Sequence, residues 1–161
     1  MTQAIQQSLR DKAWARWTVL ILIALTMFFA YMFVDVLSPL KSMLEKTAEE
    51  GGLGWSSTVF GTYGSSEFFL NVFFFFLIFA GIILDKMGVR FTAVLSGALM
   101  VLGALIKVYA LSTTFNNGGF GFELFNSFMP SMPPSAKLAC VGFMIFGCGC
   151  EMGGVTVSRA I

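Results

Sequence analysis

Two glutamates stand where a glutamate is costly. Glu67 lies inside an apolar run from about Val59 to Leu84, and Glu151 inside another from about Ala136 to Val157. An ionisable side chain at the centre of a bilayer costs roughly 2.5–3.5 kcal/mol on insertion scales, so it normally faces protein or water. A carboxyl held there is a candidate proton carrier or a contact for a cationic group. Tyr63 and Asn71 fall four residues before and after Glu67, on the same helical face. Gly147, Gly154 and Ser158 share the face of Glu151, and Gly149-x-x-x-Gly153 marks another side. Small residues around a carboxylate leave a groove for a second helix or an opening to a cavity. A structural glutamate paired with a basic residue of another helix would use the same pattern. Tyr31 and Asp35 form an i,i+4 pair ahead of Ser38-Pro39-Leu40; here too Asp35 emerging into water is an open alternative.

A second cluster is built of charge rather than of isolated acids. The run FFFFLIFAGIIL ends abruptly at Asp85 and Lys86, with Gly88 and Arg90 close behind. Gly81 would let a neighbouring helix approach closely, and Gly88 would permit a sharp reversal. Asp85 can accept hydrogen bonds from a helix N-terminus or from an arginine of a neighbouring segment, so that a partly desolvated pair latches one conformation. A plain turn whose basic residues only set topology is the simpler account of the same charges.

Other chemistries find little to work with. The chain has no histidine, and its three cysteines, Cys140, Cys148 and Cys150, share one apolar segment. Cys148 and Cys150 project about 200° apart on a helix, which makes a shared metal a poor fit; packing is the expected role of all three. No metal, cofactor or enzymatic nucleophile with a plausible base is expected, and nothing in the charge pattern calls for nucleic acid. The Phe-rich run FFLNVFFFF reads as lipid-facing and packing surface.

These residues are carried by a chain that water alone would not fold. Of 161 residues 57% are hydrophobic and 12% charged, with mean hydropathy +0.80; a soluble domain carries about 25% charged residues. A bilayer core of ~30 Å needs about 20 apolar residues of helix, and four segments qualify: about 17–37, 59–84, 91–111 and 136–157. The expected architecture is an all-α membrane protein with four transmembrane helices over residues 17–161, preceded by a cytoplasmic tail over 1–16. Arg10, Lys12, Arg16, Lys86, Arg90 and Arg159 then fall on one side of the bilayer. Lys41, Lys46 and Lys137 fall on the other, with Lys107 able to snorkel towards it. The basic excess puts the N-terminus and the 85–90 turn in the cytoplasm. The expected location is a bacterial inner or plasma membrane.

The spacing Gly81-x-x-x-Asp85-Lys86-x-Gly88-x-Arg90 resembles motif A of the major facilitator superfamily, G-x-x-x-D-[RK]-x-G-x-[RK]-[RK]. That motif lies between the second and third transmembrane helices, as this one does. The last basic position is absent, since Phe91 and Thr92 follow Arg90. The resemblance implies secondary active or facilitative transport of a small organic solute by alternating access, a proton-coupled symporter being one form of it, with Asp85 and Arg90 in a cytoplasmic latch against the other six-helix half. YMFVDVLSPL together with FGCGCE is similar to the branch containing lysosomal dipeptide transporters. There the helix-four acid, Glu151 here, would grip a substrate's amino group. Transporters of this family use two six-helix halves built from three-helix repeats, so a chain reaching Ile161 is expected to be the N-terminal part of a longer one, partnered by the remaining helices. The alternative from another class is a non-transporting four-helix membrane scaffold or assembly subunit.

Overall fold

The computed structural model describes residues 12–160, with side chains through Arg159; residues 1–11, including the topogenic Arg10, and residue 161 lie outside it. Helix α1, Ala13–Val34, contains neither Gly nor Pro and ends at Asp35. Its two threonines, Thr18 and Thr26, donate their hydroxyls to the carbonyls of Trp14 and Leu22 at 2.9 and 2.8 Å. Each polar group is thereby satisfied within the helix, as hydrocarbon requires. Pro39 then opens a single 3-10 turn, Ser38–Leu40, that leads into α2, Lys41–Leu44. Gly51, in the left-handed region at φ 78°, closes the next turn. From there the chain doubles back, with the Leu53 and Trp55 amides donating to the Leu44 carbonyl.

Helix α3, Ser57–Ser66, is capped by Ser56, whose hydroxyl accepts from the Val59 amide at 3.2 Å. Next come α4, Phe69–Phe73, and α5, Phe76–Leu111. The short helices α6, Thr113–Asn116, and α7, Phe122–Ser127, lie in the Gly- and Phe-rich loop. Helix α8, Pro134–Ala160, begins at a proline, which lacks only an N–H that the first turn would leave unpaired. Among the described residues every regular element is helical. Three helices are long and apolar enough to cross a membrane: Ala13–Leu44, Phe76–Leu111 and Pro134–Arg159. The chain is an all-helical membrane protein.

The segment expected as one helix over 59–84 is instead broken twice. After Ser66 the backbone turns through Glu67 and Phe68 before α4 begins. Gly64, Ser65 and Ser66 precede the break, and both serine hydroxyls donate to carbonyls of the preceding turn. That is the usual way serine weakens a helix. The second break lies at Phe74 and Phe75, where Phe75 takes φ 51°, a conformation costing about 1–2 kcal/mol for a residue with a side chain. Nothing in these residue types explains it. Gly88, at φ 81° and ψ 168°, interrupts α5 and divides it into two helical stretches. The sharp bend anticipated there is thus a single residue wide.

Helix α8 holds the assembly together. Its most apolar window is 56% buried, against 22% for α5 and 6% for α1, and its most extensive contact is with α5. Glycines meet face to face along that seam. A Cβ on Gly103 would lie 2.5 Å from the Gly142 carbonyl oxygen, and one on Gly149 2.8 Å from the Met100 amide. Since 103 faces 142 while 100 faces 149, α8 runs antiparallel to the second stretch of α5. It also runs antiparallel to α1, where Met27 approaches Gly153 and Gly154 and the Phe33 ring stacks on Phe146. Towards α3 it runs parallel, with Tyr63 stacked on Phe143 and Glu67 against Gly147.

Candidate functional site

The helix expected to carry Tyr63, Glu67 and Asn71 on one face is broken between them, with Tyr63 in α3, Glu67 in the turn and Asn71 in α4. All three are buried, at 2%, 4% and 7% exposure. The small side of α8 makes room for them. A Cβ at Gly147 would come within 2.4 Å of the Glu67 carbonyl oxygen and 2.8 Å of its Cγ, so glycine is what lets this turn lie against α8. The Tyr63 ring stacks on Phe143 at 4.6 Å between centroids and 16° between planes. Neither the Tyr63 hydroxyl nor either polar atom of the Asn71 amide has a hydrogen-bond partner among the described residues. Each such group costs about 1–3 kcal/mol if left so.

A cleft of about 280 Å³ opens beside these residues, between the end of α1, α3 and α8. Asp35, Tyr63, Glu67 and Phe143 are among the residues lining it. Asp35 is exposed, as expected for a residue leaving the helix end. Tyr31, one turn earlier, is 57% exposed. Glu151 is partly buried between the fully packed Cys150 and Met152. Glu67 lies against Gly147 of α8, one helical turn before Glu151. Residues from the end of α1, from the turn after α3 and from α8 therefore meet at one cleft.

Lys107 adjoins that cleft through Phe143, although its position near a helix end had pointed it towards the membrane surface. It is turned inward and only 3% exposed. Its ammonium lies 4.5 Å from the ring centroids of both Phe143 and Phe146 and donates to the Phe33 carbonyl at 3.5 Å. Tyr63 already covers one face of Phe143, so Lys107 must occupy the other. Phe143 is thus a partition, with a phenol on one side and an ammonium on the other. Snorkelling loses here because two aromatic faces and a carbonyl give the cation an interior environment. The signal was present in the sequence as Phe143 and Phe146, but only the α5–α8 register brings them to Lys107.

The charge cluster after α5's first stretch behaves differently. Asp85 pairs with Arg159, near the end of α8, by a hydrogen bond and ion pair, and both side chains remain more than half exposed. The arginine partner anticipated for Asp85 is therefore supplied within the chain. Lys86 and Arg90 are exposed. Gly81 does not make the close helix approach expected of it, since a Cβ there would meet nothing within 4 Å. Gly88 alone of the two glycines is required by its backbone. The three cysteines are free and buried, and no group of three His, Cys, Asp or Glu that could hold a metal occurs among the described residues. Compared with family models, with curated proteins and with solved structures, the chain matches none.

Proposed function

We propose that the chain forms the first four membrane crossings of a major-facilitator-type transporter, which moves a small organic solute by alternating access with proton coupling. The observation that carries this reading is the cleft that brings Asp35 and Glu67 together, with Glu67 buried against Gly147 one helical turn before Glu151. Acids at that depth serve a water-filled path or a proton relay far more often than they serve stability. The helix directions support it, because α1 and the second stretch of α5 run against α8 while α3 runs with it. Four successive crossings require that alternation. The broken second crossing supports it too, since solute sites in such transporters are commonly built on discontinuous helices. In this reading Asp85 and Arg159 hold one conformation closed on the cytoplasmic side of a bacterial inner or plasma membrane. Glu151 touches solute or proton, and helices beyond these four supply the facing wall.

Uptake into vesicles carrying the complete polypeptide, driven by an imposed proton gradient, tests the reading. Glu151→Gln is expected to abolish uptake while leaving the amount of protein in the membrane unchanged. A Glu151→Gln form with the parent's uptake and pH profile would sink it. The second reading, a non-transporting scaffold or assembly subunit, is favoured by the broad exposed apolar surface of α1. A stable four-helix oligomer in detergent, with no uptake of any solute, would select it.

A further inference from the structure

We propose that α7 and the residues flanking it form an interfacial anchor, which lays Phe120, Leu124 and Phe128 into the headgroup boundary of the bilayer. The inference goes beyond the transporter reading and needs only that α5 and α8 cross the membrane. It starts from where α7 sits. Helix α8 runs antiparallel to the second stretch of α5, so Leu111 and Pro134 lie at one end of the bundle, opposite Asp85 and Arg159. The chain between them is tied to both helices. The Tyr109 hydroxyl of α5 donates to the Phe120 carbonyl at 3.2 Å, and the Lys137 ammonium of α8 donates to the carbonyls of Phe125 and Phe128. Lys137 is only 7% exposed, so its charge is committed to the end of α7, where the last carbonyls lack partners within the helix. Phe115 is fully buried and packs edge-on against Tyr109, Phe122 and Phe125. The segment is therefore a fixed part of the fold, at the level where two spanning helices end.

The surface of this segment is sorted three ways. Phe122 and Phe125 turn inward onto Phe115. Glu123, Asn126 and Ser127 are exposed and fall within a sector of about 100° on the helix. Asn126 lines a recess of about 400 Å³ that it shares with Ser56 and Ser131. Leu124 projects away from both groups and is 71% exposed, while Phe120, four residues before it, is 94% exposed and Phe128, four after it, is exposed as well. Apolar side chains gathered outward on a fixed element mark a contact surface. Lipid is the occupant that the surroundings favour. The Tyr109–Phe120 bond sets this surface beside the last turns of α5, where Val101, Leu105 and Val108 form an exposed apolar stripe at helical spacing. That stripe belongs to a helix apolar enough to cross a membrane, and Phe120, Leu124 and Phe128 extend it past the helix end. An element with protein on one side, polar groups on a second and apolar groups on a third suits the boundary of a bilayer, and suits neither its core nor bulk water.

Quenching of an added tryptophan tests the inference, with the parent's emission from Trp14, Trp17 and Trp55 subtracted. The full chain is reconstituted in phosphatidylcholine vesicles, whose acyl chains carry bromine near the headgroup, near the bilayer centre, or not at all. Phe120→Trp and Leu124→Trp replace exposed side chains and so leave the packing around Phe115 alone. In both, the added emission should fall by about twofold or more with bromine near the headgroup, and by less with bromine at the centre. Acrylamide in the water should quench them at most about half as well as it quenches Glu123→Trp, which probes the polar sector and should be the least sensitive to bromine. Acrylamide quenching equal to that of Glu123→Trp, without any effect of bromine, would put the apolar residues in water and overturn the inference. Protection from both quenchers would show them covered by protein, whether a second copy or another chain, and would overturn it equally. Stronger quenching from the bilayer centre than from the headgroup region would mean immersion in the core, and the anchor would fail on that result too.

Discussion

Helix α8 has two seams, and they are built on opposite principles. Against α5 it is dry and close: Gly103 meets Gly142, Gly149 meets Met100, and Ser96 donates to the Gly149 carbonyl at 2.7 Å. Its polar group is paired. Against α3 and α4 the same helix meets a broken segment, an open cleft, a buried glutamate and unpaired polar atoms on Tyr63 and Asn71. In lipid, helices gain nothing by hiding apolar surface from one another, so association depends on close packing and hydrogen bonds. The first seam spends its residues on both. The second leaves them unspent, which is intelligible where something other than a helix is to be bound or a contact is to be remade.

The largest effect is expected from crowding the first seam. Gly103→Leu would drive a side chain into a space where even a Cβ lies 2.5 Å from backbone atoms of Gly142 and Phe146. The helices must separate, at a cost of about 3 kcal/mol. Reversible unfolding in detergent should show the loss, together with new protease cleavage in α8. A protein as stable as the parent would mean that this seam is not the permanent one.

Charge is the next test, and Lys107, on the α5 side of Phe143, reaches both seams because Tyr63 of α3 stacks on the same ring. Lys107→Met keeps a long apolar side chain against Phe143 and Phe146 but removes the positive charge that acts on Glu67. Breaking a buried pair in direct contact costs about 3–5 kcal/mol. Here no direct contact exists, so a loss of about 2 kcal/mol is expected. At a pH high enough to ionise Glu67, adding Glu67→Gln to Lys107→Met should restore at least about 1 kcal/mol, because the remaining charge goes too. Simple additivity in the unfolding cycle would show the two groups to be independent, and the neighbourhood around α8 would then be a coincidence of placement.

Reading this far ahead from residues alone was possible for some features and not for others. Membrane solvent and the helical class follow from composition and apolar run length, which are local properties, whereas the break between Tyr63 and Asn71 was not legible from their helical spacing. Gly88 was legible locally as well, since a one-residue turn next to charged residues calls for φ above zero. The inward turn of Lys107 was not, because it depends on which residues of α8 lie opposite residue 107. The empty surroundings of Gly81 were not legible either. A glycine permits close approach, and only the packing decides whether a helix arrives. Phe75 is the plainest case, being a break in a run of phenylalanines whose side chains give no local reason for it.

A smaller effect is expected at Ser96. Its hydroxyl donates to a carbonyl of the facing helix, and interhelical bonds of this type average about 0.6 kcal/mol in membrane proteins. Ser96→Ala should therefore lower stability by about that amount in the same unfolding measurement, well below Gly103→Leu. A loss several times greater would show that the seam is held by its hydrogen bond more than by the fit of its glycines.

The smallest effect on stability should come from the most conspicuous charges. Arg159 and Asp85 retain 56% and 65% side-chain exposure in their ion pair, and exposed pairs contribute about 0–1 kcal/mol. Salt weakens them further, the screening length falling from about 10 Å at 0.1 M to about 3 Å at 1 M. Asp85→Asn should thus insert normally and unfold within about 0.5 kcal/mol of the parent, with any difference gone in 1 M salt. If the pair is a latch its purpose lies elsewhere, in the relative populations of two conformations, and there even 1 kcal/mol changes a ratio about fivefold. On the transporter reading, the same substitution should slow uptake into vesicles while the amount reaching the membrane is unchanged. Uptake and membrane level both at the parent's values would leave Asp85 and Arg159 as ordinary surface charges. The contrast on α8 would then lie entirely between its glycine seam and its cleft.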